Sequence, residues 1–89
     1  MRFTWSEAKR KLNVQIHGLD FIDAAQVFDG PTFTFEDDRF EYSERRFVTF
    51  GLLDGLVVSI VHTESTRQIR VISFRKATKH EQAIYFKNL

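Results

Sequence analysis

A chain of 89 residues has room for one compact domain with one hydrophobic core and too little for a second domain, so residues 1–89 are read as a single domain. Its composition, 43% hydrophobic and 28% charged with 10 phenylalanines, argues against disorder, and the lack of cysteine excludes disulfides, thiolate metal ligands and a thiol nucleophile. The net charge of +1 means that attraction for nucleic acid must come from charge placement: residues 1–44 hold nine acids and five Lys or Arg, residues 45–89 eight Lys or Arg and three acids.

In chain order, the opening MRFTWSEAKR has charges where a signal peptide needs an apolar core, and no apolar run reaches the roughly 20 residues that cross a bilayer. A cytoplasmic protein without membrane contact is expected. Thr4 and Glu7 have the spacing of a capping box for a first helix over residues 5–17, with Trp5, Ala8, Leu12 and Ile16 on its apolar side and Gly18 as terminator. Asp20 caps a second helix carrying Phe21, Ala24, Ala25 and Phe28, which Asp29-Gly30-Pro31 ends.

The period then changes to two. Phe33 and Phe35 alternate with polar residues in a first strand, residues 36–44 form a polar loop, and Arg46, Val48 and Phe50 alternate with Phe47 and Thr49 in the next strand. Asp54-Gly55 marks a tight hairpin leading into a central strand over residues 56–63. A turn over residues 64–67 returns the chain antiparallel over residues 68–75, and Thr78 with Glu81 forms a capping box for a last helix with Ile84, Tyr85 and Leu89 inward. The order predicts an α+β fold: two N-terminal helices, a four-stranded antiparallel sheet and a C-terminal helix, with the helices on one sheet face.

No phosphate-binding glycine loop, nucleophile elbow or short-range histidine metal spacing is present, and no metal or cofactor is expected. The chemical signal is a cluster: His62 and Glu64, Arg67 in the turn, then Arg70, Ser73, Arg75 and Lys76. Guanidinium groups fit phosphate oxygens and can stabilise charge around a phosphodiester, His62 or Glu64 can move protons, and RNA supplies its own 2′-hydroxyl nucleophile. Bland readings stand beside these. Strict alternation puts Arg70 with Ile72 and Phe74 but Ser73 and Arg75 on the opposite face; Arg70 is then either a ligand or a structural arginine paired with an acid such as Glu44. His62 at a strand end is structural or catalytic, Arg46 pairs across the sheet edge or contacts phosphate, and Lys76 decorates a helix start or binds an anion. The phenylalanines read as core, with too few exposed to argue for base stacking.

F-x-W near the start, His17-Gly18, A-A-x-V-F-D from Ala24, E-R-R-F from Glu44 with Gly51 after it, His62-Thr63-Glu64 and I-R-V-I-S-F-R-K-A from Ile69 together resemble the BrnT toxin family, in order along nearly the whole chain. The resemblance implies a RelE-like fold and a small metal-independent endoribonuclease toxin of a type II toxin–antitoxin system that cuts RNA and stops translation and growth. It implies as partner a BrnA-type antitoxin with a DNA-binding domain, so that DNA is met only through the complex. The family's basic motif falls on Arg70, Ser73, Arg75, Lys76 and Ala77 and its turn motif on Thr63, Glu64 and Arg67. With the residue chemistry above, the expectation is a catalytic set of His62, Glu64, Arg67, Arg70 and Arg75, in which the arginines hold the phosphate and His62 or Glu64 moves protons, and substrate contacts from Arg46, Ser73 and Lys76. Ser6, Ser65-Thr66 and Phe74 depart from many relatives, Phe74 adding bulk beside the site. The competing expectation is a non-catalytic binding module, or degenerate toxin, whose basic sheet face binds an antitoxin or nucleic acid.

Overall fold

The computed structural model describes residues 1–39, 41 and 43–89; Phe40 and Tyr42, in the expected loop, lie outside the described residues. The elements are β1 (Arg2–Thr4), α1 (Glu7–His17), a 3₁₀ turn (Phe21–Asp23) running into α2 (Ala24–Asp29), β2 (Phe33–Asp37), β3 (Arg46–Leu53), β4 (Leu56–Ser65), β5 (Gln68–Lys76) and α3 (Lys79–Lys87). The sheet has five strands in the order β1-β5-β4-β3-β2. Strands β2 to β5 form the expected antiparallel meander, while β1 adds a fifth strand, parallel to β5 and pairing Arg2 with Gln68, Phe3 with Ile69 and Thr4 with Arg70.

Thr4 lies in β1 and does not cap α1 as expected. Ser6 caps α1 instead, its hydroxyl accepting from the Lys9 amide at 3.4 Å, and the Glu7 carboxylate accepts from Trp5 Nε1 and Arg10. Arg10 also reaches Asp20 at 3.0 Å, tying α1 to the following turn, where Asp20 caps as expected by accepting from the Ile22 amide. Gly18 ends α1 in the left-handed region, φ 71°, donating to the Val14 carbonyl. The face that α1 buries is not its apolar one: Leu12 and Ile16 are exposed and Asn13 is buried. The Asn13 carboxamide donates to the Phe74 carbonyl at 2.7 Å and accepts from the Phe74 amide at 3.2 Å, covering the edge of β5 where the short β1 has ended.

Helices cover both sheet faces, not one. On the first, Phe21, Ala24 and Val27 pack over Val58, Ile60, Val71 and Phe74. Gly51 lets α2 sit this close to β3, since a Cβ there would lie 2.5 Å from Val27 Cγ1. On the second, Tyr85 of α3 packs with Val48, Phe50, Val57 and Ala77 and donates to the Pro31 carbonyl at 2.8 Å. The Thr78–Glu81 capping box forms as read, but Leu89 points to solvent. With 9 residues, α3 covers only part of this second face, and the remainder stays open between β2, β3, β4 and β5.

Candidate functional site

A β-bulge builds the open face. Ile60 pairs with Phe74 and Val61 with Ser73, but His62 pairs with Val71 and Thr63 with Arg70, leaving Ile72 as the extra residue. Strict alternation separates Arg70 from Ser73 and Arg75; the extra residue reverses the phase and returns Arg70 to their side. Directly opposed residues of a sheet share a face, so Arg70, Ser73 and Arg75 stand with Thr63, Val61 and Ser59. Val48 and Arg46 of β3 and Phe35 and Asp37 of β2 continue the same face.

The arginines there have carboxylate neighbours of unequal grip. Arg75 makes a bidentate pair with Glu81, at 2.7 and 2.9 Å, and donates to the Lys76 carbonyl. That guanidinium, with the Thr78 amide, holds the Glu81 carboxyl down to about 2, and the same contact raises Arg75. Asp37, buried, accepts from Arg39 at 2.8 and 3.1 Å. Arg70 lies 3.7 Å from Glu44, both half-exposed, so the pairing foreseen as its structural role exists but is loose. A strand rises about 3.3 Å per residue, which sets Arg70 roughly 15 Å and Arg67 roughly 25 Å from Arg75 along the hairpin, so the three guanidinium groups are spread out along it.

His62 is elsewhere. It faces the α2 side, fully buried, edge-on to Phe28 and stacked with Phe47, over which Arg45 lies at 5.4 Å. Its Nε2 shares a 2.7 Å hydrogen bond with the Thr49 hydroxyl, which shares another of 2.7 Å with Thr34. Burial lowers its pKa to about 4, so the ring is neutral near pH 7. Glu64 lies 3.5 Å from His62 Nδ1 without hydrogen-bond geometry, on the same α2 side. Arg67 sits in the exposed β4–β5 turn, its carbonyl accepting from the Arg2 amide, and Lys76, opposite Val58, belongs to the α2 side. The structure thus gathers Arg46, Arg70, Ser73 and Arg75 and does not bring His62, Glu64, Arg67 or Lys76 to them. Glu81, Asp37, Arg39 and Phe35 join the face although no sequence motif marks them for it; Glu81 carries a signal only as a helix cap. Among the described residues no three His, Asp or Glu side chains are grouped as a metal site, and no helix is long and apolar enough to cross a membrane.

Fold and face together define a small α+β protein whose half-open sheet presents guanidinium groups and a hydroxyl in a row. Over residues 5–81, from Trp5 before α1 to Glu81 in α3, the sequence matches the family described as "Ribonuclease toxin, BrnT, of type II toxin-antitoxin system". The chain belongs to the BrnT family, and that membership implies a cognate antitoxin. A comparison with curated proteins gives no match.

Proposed function

We propose that this chain, acting as one RelE-like toxin domain, is a metal-independent endoribonuclease that cuts RNA in the cytoplasm and so inhibits translation and growth. A BrnA-type antitoxin neutralises it, and DNA is reached only through that complex. The observation that supports this most is the bulge at Ile72, which puts Arg70, Ser73 and Arg75 on one open face in a member of a ribonuclease toxin family. Arg70, beside Glu44, stabilises charge on the reacting phosphate, and Arg75, roughly 15 Å further along the strand, binds another part of the RNA backbone, with Ser73 and Arg46 as further contacts. The RNA 2′-hydroxyl attacks the adjacent phosphorus, leaving a cyclic phosphate and a 5′-hydroxyl.

For proton transfer this reading favours Glu44. It is half-exposed beside Arg70 and only loosely held, whereas Glu81 is too weak a base near a pKa of about 2 and His62 is enclosed on the other side of the sheet. His62 is then a core hydrogen-bonding group. The test is RNA cleavage by antitoxin-free protein with magnesium and with EDTA, on wild type and Arg75→Ala. Cleavage in both buffers, lost in the variant, supports the reading. Salt-sensitive RNA binding without turnover supports the binding module instead.

A further inference from the structure

Between β2 and the start of α3 the open face sinks into a cleft of about 280 Å³, lined among others by Phe35, Val48, Ser59, Val61, Arg75 and Glu81. This lies at the small end of ligand pockets, which run from roughly 300 to 1,000 Å³, and so suits one ring system, not a length of chain. Phe35 is 39% exposed, although alternation makes it a core residue. Its ring is held from the side by two others on this face, edge-on to Phe50 at 5.4 Å and tilted against Phe33 at 5.8 Å, and it lines the cleft. Val48 and Val61 add apolar lining and Arg75 stands beside it. An aromatic platform next to a backbone-binding cation is the arrangement that holds single-stranded nucleic acid, because every base has a π-face.

We propose that this cleft binds one unstacked nucleobase of single-stranded RNA, packed on Phe35, and thereby fixes which phosphate lies at Arg75. The inference rests on the reading of this face as the RNA site. It gives Phe35 a role in substrate positioning that leaves the chemical step to other groups.

The experiment uses a 2′-O-methyl oligonucleotide, which cannot be cut through its own 2′-hydroxyl, carrying 2-aminopurine as a fluorescent base that dims on stacking. Wild type is expected to bind it and quench the probe. Phe35→Leu, which keeps apolar cover, is expected to lose the quench and bind about 5- to 150-fold more weakly, the equivalent of the ~1–3 kcal/mol that a stacked base contributes. Phe35→Tyr, which keeps the ring, is expected to retain both, which separates loss of stacking from loss of fold. Arg75→Ala is expected to weaken binding and flatten its salt dependence while quenching persists at saturation. Unchanged affinity and quench in Phe35→Leu, with Arg75→Ala impaired, overturns the base site and leaves the RNA face standing. No binding by wild type overturns both.

Discussion

The Arg75–Glu81 pair offers the sharpest handle on this face, and Glu81→Gln is the substitution that isolates it. Glutamine can still accept from the Thr78 amide, so the capping box at the start of α3 is preserved while the charge facing Arg75 is removed. A hydrogen bond to a charged group contributes about 1.5–3 kcal/mol. With the Arg75 and Glu81 side chains 38% and 18% exposed, solvent screening brings the expected loss down to about 1–1.5 kcal/mol. For a domain of this size that lowers the melting temperature by roughly 4–12 °C. RNA binding should move the other way. Removing a unit charge about 4 Å from a phosphate relieves about 1 kcal/mol of repulsion even at the dielectric of water, close to fivefold in affinity. Fluorescence titration with an uncleavable oligonucleotide, beside urea unfolding, measures both. Weaker RNA binding by a folded Glu81→Gln protein would refute Arg75 as a phosphate ligand held in check by Glu81. Unchanged affinity with cleavage abolished would make Glu81 the proton-transfer group, against the assignment to Glu44.

His62 predicts an acid-side loss of stability. Its folded pKa of about 4 lies below the ordinary 6.5, so between these values the unfolded chain binds the extra proton, and stability falls with pH by up to about 1.4 kcal/mol per unit. Urea unfolding across that window checks it, and a His62→Gln protein with the same slope would contradict it. Gly51→Ala forces a methyl toward Val27 and is expected to destabilise by about 1–3 kcal/mol through overpacking, with RNA affinity of the folded fraction unchanged; a neutral result would show that α2 can shift away.

Much of this architecture is written in local signals. Gly18, Asp20, the Asp54-Gly55 turn with φ of 50° and 82°, and the Thr78–Glu81 box all act where their residue types direct, because each satisfies a backbone requirement within a few residues. What escaped depends on distant partners. Arg2–Thr4 is too short for a recognisable strand period and pairs only because β5 has an open edge. Asn13 is buried since that same edge needs a donor and an acceptor, which turns Leu12 and Ile16 outward against their apolar character. The side of the sheet chosen by α3 is fixed by Tyr85 meeting Val48, Phe50 and Val57, contacts that no local pattern announces.

The candidate site was legible as a set of residue types and illegible as an arrangement. The residue types of Arg70, Ser73 and Arg75 mark them as candidates, but nothing in R-V-I-S-F-R marks Ile72 as the bulge, and alternation alone separates side chains that the strand brings together. His62, two positions before Glu64, looked like a strand-end histidine; the hydroxyl of Thr49 across the sheet and the rings of Phe28 and Phe47 hold it inside instead. Phe35 follows the core period, but β2 is the outer strand of the sheet, so its ring stays half-open.

The most direct test is cleavage of single-stranded RNA in EDTA by wild type, Arg70→Ala, Arg75→Ala and Lys76→Ala proteins of matched fold. The arginine face predicts cleavage by wild type and Lys76→Ala, a loss of about 10²-fold or more in Arg70→Ala, the scale for removing one group that stabilises transition-state charge, and a loss at limiting RNA in Arg75→Ala through weakened backbone binding. Cleavage that survives loss of both arginines but not of Lys76 would place the chemistry on the other side of the sheet and contradict the account.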